Sequence, residues 1–233
     1  MNVLDLFSGI GGFSLGLERA GMKTVAFCEV DKKCQEVLRK HWKDVPIFDD
    51  VTTLKGADIE ETIDVICGGF PCQDISFAGK GAGLEGARSG LWWEFHRLIK
   101  EIKPKYAIIE NVSALRSRGL DQVLRSLAEI GYDAEWHCIT AASIGAPHRR
   151  DRIWIISYSN SEGLEGQWKV SSRISKELKD PSYSCWWATE PNVGRVANGI
   201  PNRVDRLKQL GNAVVPQIPE LIGRAIIEFE NAS

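Results

Sequence analysis

Cys72 lies in Gly68-Gly-Phe-Pro-Cys-Gln-Asp-Ile-Ser76, directly after the β-branched run Ile63-Asp-Val-Ile-Cys67. That run reads as a buried strand ending in paired glycines. The thiol therefore falls just past a strand's carboxyl end, where open α/β sheets keep their chemistry. Pro71 fixes its own backbone dihedral and offers no N–H, so the turn presents the thiol stiffly. Such a cysteine suits nucleophilic catalysis, although a lone free cysteine is more often a small buried hydrophobe. Glu110-Asn-Val112 ends a further strand and puts a carboxylate on the same edge, so a nucleophile and an acid can address one substrate. The plainer alternative for Glu110 is a helix cap or a salt bridge. Arg149-Arg-Asp-Arg152 opens a later strand. Period 2 places Arg150 and Arg152 on one face, where guanidinium groups could clamp a phosphate or a base edge. A solvated, charged strand end is the bland reading.

A second cluster of chemistry sits near the amino end. Gly9-Ile-Gly-Gly12 follows the first strand and suits a ligand approaching backbone at a helix N-terminus. Ser14 stands where the strict dinucleotide fingerprint has its third glycine, which counts against a nicotinamide enzyme with a catalytic cysteine. Glu29, 20 residues beyond Gly9, ends the next strand, the place for a carboxylate that accepts from ribose hydroxyls. Asp49-Asp50 ends the third, where a carboxylate could read an adenine amino group. Together these point to an adenosine-type ligand; the alternative is a packing turn beside solvated acids.

Strands are predicted at 3–7, 23–29, 45–48, 63–67, 106–109, 134–140 and 153–157. Helices are predicted at 12–20, 32–41, 91–102, 120–130 and 216–229. The alternation specifies a doubly wound, mostly parallel sheet, with the last two strands as an edge hairpin. Gly79, Gly81, Gly83, Gly86 and Gly90 suit a mobile lid. Residues 158 to about 200 are polar and aperiodic, so the expected division is a catalytic unit at 1–157 and 209–233 around a recognition region at 158–208. Trp186-Trp187 in that region could wedge at a nucleic acid or close a small satellite core. At 233 residues, 43% hydrophobic and 26% charged, the chain can bury one substantial core. A net charge of -2 gives no global pull toward nucleic acid. The six cysteines form no Cys-x-x-Cys pair, which disfavours a zinc site and suggests a reducing compartment. With no leader or membrane span evident in the sequence, a cytoplasmic protein is expected.

Asp5-Leu-Phe-Ser-Gly-Ile-Gly-Gly12, Gly69-Phe-Pro-Cys-Gln73, Glu110-Asn-Val112, Pro147-His-Arg-Arg-Asp-Arg152 and Gly211-Asn-Ala-Val214 occur in that order. They resemble the opening, nucleophile, acid, Gln-x-Arg-x-Arg and closing motifs of the cytosine carbon-5 DNA methyltransferases. His148 replaces the usual Gln, and the short region before the closing motif is similar to the compact enzymes of phages and prophages.

The resemblance implies the Rossmann-like, S-adenosylmethionine-dependent methyltransferase fold. It also implies a bacterial or phage-encoded, monomeric enzyme of restriction-modification type that needs no metal and acts on double-stranded DNA. Cys72 would attack carbon 6 of a flipped cytosine, Glu110 would hold N3 and the amino group, Arg152 would hold O2, and Arg150 would support the substrate. Cofactor contacts would come from Phe7, Gly9, Ile10, Gly12, Glu29, Asp50, Val51, Pro71, Leu91, Asn212 and Ala213. DNA contacts would come from Gln73 and Ser76 and, in a basic stretch at 191–208, from Arg195, Arg203 and Arg206. Rival readings are a transfer-RNA cytosine-5 methyltransferase and a non-catalytic DNA-binding remnant.

Overall fold

A computed structural model describes residues 1–71, 90–160 and 211–232. Seven strands form one sheet: β1 (Asn2–Leu6), β2 (Lys23–Cys28), β3 (Ile47–Phe48), β4 (Val65–Gly69), β5 (Tyr106–Val112), β6 (Tyr132–Thr140) and β7 (Asp151–Ser159). Their order is β3-β2-β1-β4-β5-β7-β6. The first five run parallel, and β7 inserts antiparallel between β5 and β6. The predicted mixed sheet and its edge hairpin are both present.

The helices are α1 (Gly12–Arg19), α2 (Lys32–His41), α3 (Leu91–Ile102), α4 (Leu120–Glu129) and α5 (Gln217–Ala232). The central strands are apolar on both faces, as a sheet covered on both sides requires. On β4, β5 and β7, Ile66, Ile109 and Ile155 join Trp92 and Phe95 of α3 and Leu127 of α4 in one core. Their neighbours Val65, Ile108 and Trp154 join Phe13 of α1 and Leu221 of α5 in the other. α1 and α5 touch closely: a Cβ on Gly16 would stand 2.2 Å from the Pro216 carbonyl oxygen. The last helix therefore seats directly on the first.

Two expectations shift. The fourth strand runs 65–69 rather than 63–67, so the paired glycines belong to it. A Cβ on Gly68 would lie 2.4 Å from the Leu6 carbonyl oxygen, so close approach of neighbouring strands explains that glycine better than a turn does. The last strand begins at Asp151, and Arg150 precedes it with φ 30°. The period-2 argument for Arg150 therefore fails, because that residue is not extended. No helix among the described residues is long and apolar enough to cross a membrane.

Candidate active site

The carboxyl ends of β1, β2, β4 and β5 converge on one edge, and β7, being reversed, brings its beginning to the same place. At the first of these ends the chain leaves β1 through Phe7 (φ 53°), Gly9 (φ 55°) and Gly11 (φ 84°), a left-handed run that glycine tolerates best. Gly11 also has no room for a side chain, since a Cβ would meet the Trp42 ring at 2.6 Å. Glu29 follows β2 and braces this turn. Its Oε2 accepts from Gly9 N at 2.7 Å and its Oε1 from Asp31 N at 2.7 Å, and each oxygen keeps a lone pair for a ligand.

Asp5 explains Ser14. The fully buried Asp5 carboxylate accepts through Oδ2 from Ser14 Oγ (2.7 Å) and Ser14 N (3.3 Å). Its Oδ1 meets no donor in good geometry among the described residues, leaving the weak S–H donor of Cys67, its register partner on β4, as the available group. Burial pushes Asp5 up to about 8, against the lowering pull of Ser14.

The other end of the site is made by side chains that cross between strands. Arg152 pairs in register with Val112, and Glu110 lies two residues back on the same face of β5. This diagonal brings Arg152 Nε to 2.9 Å from Glu110 Oε1. Burial raises the Glu110 carboxyl above the usual range, opposed by the Arg152 and Arg150 charges. Gly69 leaves space for it, since a Cβ there would touch Glu110 Oε2 at 2.7 Å. Asn111 donates through Nδ2 to the Phe70 carbonyl at 3.0 Å and accepts from Val112 N at 2.9 Å. It thereby ties β5 to the segment leading to Pro71. Arg150 is used differently: its guanidinium donates to the carbonyls of Gly211 (2.8 Å) and Ala213 (2.5 Å). The strand start is thus latched to the closing motif.

Glu29 and the Gly9 turn at one end and Glu110, Asn111, Arg150 and Arg152 at the other line one cavity of about 390 Å³. Of the residues expected from sequence, Phe7, Gly9, Glu29, Pro71, Glu110, Arg150, Arg152, Asn212 and Ala213 share it. Ile10, Gly12, Asp50, Val51 and Leu91 are not on its wall. Gly12 packs under Val214, and Val51 is buried in the core. The exposed Asp50 carboxylate accepts from Thr52 N and Oγ1, while Asp49 is held by Lys32 at 2.7 Å and Gln35 at 2.8 Å. Cys72, Gln73, Ser76, Arg195, Arg203 and Arg206 lie outside the described residues, as does most of the expected recognition region. The sequence reading missed Val30, 74% exposed on the cavity wall, and Asn111. An apolar residue directly after Glu29 was the available signal for the first; the second stands inside the Glu110-Asn-Val112 motif, which gave no role for its side chain.

The C-5 cytosine-specific DNA methylase family model matches residues 1–198. The type II methyltransferase M.Eco47II of Escherichia coli is 37% identical over 186 residues, 76% of this chain and 45% of its own. M.HhaI of Haemophilus parahaemolyticus is 34% identical over 185 residues, 77% of this chain and 56% of its own. The chain thus spans about half the length of these curated relatives. Among solved structures, the Entamoeba histolytica methyltransferase EhMeth superposes with a TM-score of 0.70 over 100% of this chain and 99% of its own. At 15% identity that likeness speaks for the fold alone.

Proposed function

Because the chain belongs to the C-5 cytosine-specific DNA methylase family, we propose that it transfers a methyl group from S-adenosylmethionine to carbon 5 of a cytosine flipped out of duplex DNA. The observation that carries this reading is the Glu110–Arg152 pair, set on the wall of the same cavity as the Glu29-braced glycine turn.

The residues at the glycine-turn end fit an adenosyl group. Glu29 offers unused lone pairs to a diol, Val30 and Phe7 offer apolar surface to a base, and the Gly9 backbone admits close approach. When bound, S-adenosylmethionine would supply a methyl on a sulfonium, the electrophile that an activated carbon 5 requires.

Cytosine carbon 5 is a poor nucleophile until the ring's aromaticity is broken, and that is the task of Cys72, the residue after the cavity-lining Pro71. Its thiolate adds to carbon 6, and the displaced electron pair is directed toward carbon 5. Glu110, whose carboxyl burial raises above the usual range, would donate a proton to N3 and accept from the amino group. It thereby stabilises the charge that the addition creates. Arg152, held by Glu110, presents its remaining donors to O2. Loss of the carbon-5 proton to a water molecule after methylation, with the N3 proton returning to Glu110, restores the ring and expels the Cys72 thiolate.

The test supplies labelled cofactor with duplex DNA or transfer RNA. Label in DNA 5-methylcytosine, abolished by Cys72→Ser, is expected. Label confined to RNA, or undiminished in the Cys72→Ser protein, would overturn the assignment.

A further inference from the structure

The carboxyl edge of the sheet is divided by charge. Around the ends of β2 and β3 it carries Glu29, Asp31, Asp49 and Asp50, with Lys32 drawn onto Asp49 and Lys33 beside them. Around the end of β5 and the beginning of β7 it carries arginine. Arg116 and Arg118 follow β5, Arg149 and Arg150 precede β7, and Arg152 lies within it. The net charge of -2 hides this division, because acids and bases cancel in the total without meeting in space.

Two of these arginines have no task among the described residues. Glu110 holds Arg152, and Arg150 is held by the carbonyls of Gly211 and Ala213. Arg116 and Arg149 are exposed, and neither side chain forms a hydrogen bond or ion pair among the described residues. The acid nearest Arg149 along the chain, Asp151, buries its Oδ1 and pairs with neither.

Their backbones, by contrast, are fixed. Arg116 belongs to a short turn of helix, Ser113–Ser117, pinned by Ala114 and Leu115, which are 6% and 0% exposed. Arg118 N closes that turn by donating to the Leu115 carbonyl at 3.0 Å. The Arg149 carbonyl accepts from Ala141 N at 3.0 Å. Both segments leave one rung of the sheet: Val112 and Arg152 are register partners, with Arg116 four residues past the first and Arg149 three before the second. Two guanidinium groups thus stand on anchored backbone at the edge where Glu110 and Arg152 face the cavity. A polyanion laid across that edge meets both without ordering a loop. The acids around β2 and β3 turn it away from the other half.

We propose that Arg116 and Arg149 grip phosphates of duplex DNA beside the flipped cytosine. This rests on the DNA reading above and deepens it: the catalytic sheet itself holds the duplex backbone, separately from the arginines expected at 191–208. Such contacts carry no sequence information; they set how the duplex lies over the pocket.

The experiment measures binding of the full chain to two fluorescent duplexes of unrelated sequence, by anisotropy between about 50 and about 300 mM salt. The variants are Arg116→Gln, Arg149→Gln, the two combined, and Arg116→Lys/Arg149→Lys. Lys40→Gln/Lys43→Gln, which removes the same charge from α2 and the turn after it, is the control. Each lost contact should lower the slope of log affinity against log salt by about 1, and the double Gln variant by about 2. At about 100 mM salt that variant should bind both duplexes about tenfold more weakly. The double Lys variant should keep most of the slope, because a point charge suffices for a phosphate. S-adenosylmethionine affinity, read by calorimetry, should be the same in every variant. An unchanged slope in the double Gln variant, or an equal fall in the lysine control, would overturn the proposal. So would a loss confined to one duplex, or weakened transfer-RNA binding with duplex binding intact. Failure of the unaltered protein to bind either duplex would overturn the reading above, and the proposal with it.

Discussion

The two ends of the cavity are built by different means. At the glycine-turn end, backbone shape dominates: three alternate positive-φ positions, Phe7, Gly9 and Gly11, with Glu29 fastening the turn through the Gly9 amide. At the Glu110 end the strands are regular and the side chains do the fastening. Arg152 reaches diagonally to Glu110, Asn111 bonds to the Phe70 carbonyl, and Arg150 to the closing motif. The contrast teaches that the first end should respond to added bulk and the second to lost charge or lost donors.

The largest effect is expected at the side-chain end. Glu110→Gln should lower kcat by about 10³-fold while leaving cofactor affinity near normal, measured by single turnover and calorimetry. Its raised carboxyl also predicts an alkaline limb in the kcat profile: turnover falls as pH rises and Glu110 loses its proton. The residual activity of Glu110→Gln should lack that limb. An equal loss of cofactor affinity in this variant would erase the contrast between the ends.

Next comes bulk at the glycine turn. A Cβ on Gly12 would stand 2.6 Å from the Val214 carbonyl oxygen, so Gly12→Ala should cost about 2 kcal/mol of stability, read from denaturant unfolding. A cost within experimental error would show that the turn can yield.

Arg150→Gln sharpens the comparison further. With both bonds to 211–213 gone, cofactor affinity should fall about tenfold and base-dependent kcat much less. The reverse pattern would return Arg150 to the substrate role expected from sequence.

A separate effect, on the pH dependence of stability rather than on turnover, concerns Asp5. Its folded value, about 8 against 3.8 when free, lies above the unfolded one. The stability this group contributes is therefore fully present below pH 3.8 and lost as pH rises toward 8. Asp5→Asn should flatten the decline of thermal stability between pH 5 and 8. An unchanged slope would assign that proton elsewhere.

Much of this architecture was legible because period and punctuation are local. The apolar runs of β5 and β7 and the stop at Gly21 follow from residues read within a few positions of one another. Glu110 and Glu29 were found because each closes such a run. The period-2 placement of Arg150 failed because the residue before a strand need not be extended, and a positive φ breaks period 2 without a sequence mark. Arg97 is only half legible: Glu94 and Glu101 lie within a turn of it on the same helix, but its backbone acceptors Val51 and Leu54 lie 46 and 43 residues away. Asp50 was placed at the end of the right strand, yet nothing in the sequence told that its carboxylate would turn onto Thr52.

The junction of α1 with α5 carries a consequence for how the protein comes into being. Residues 12–19 can form their helix early in translation, but the surface they offer is covered only when residues 217–232 have left the ribosome. Until then the wall formed by Asn212 and Ala213 is missing and Arg150 has nothing to grip. A nascent chain should therefore stay unable to retain a nucleoside ligand through most of its synthesis, and a premature stop codon before residue 211 should produce a chain that keeps Cys72 yet lacks one wall of the cavity.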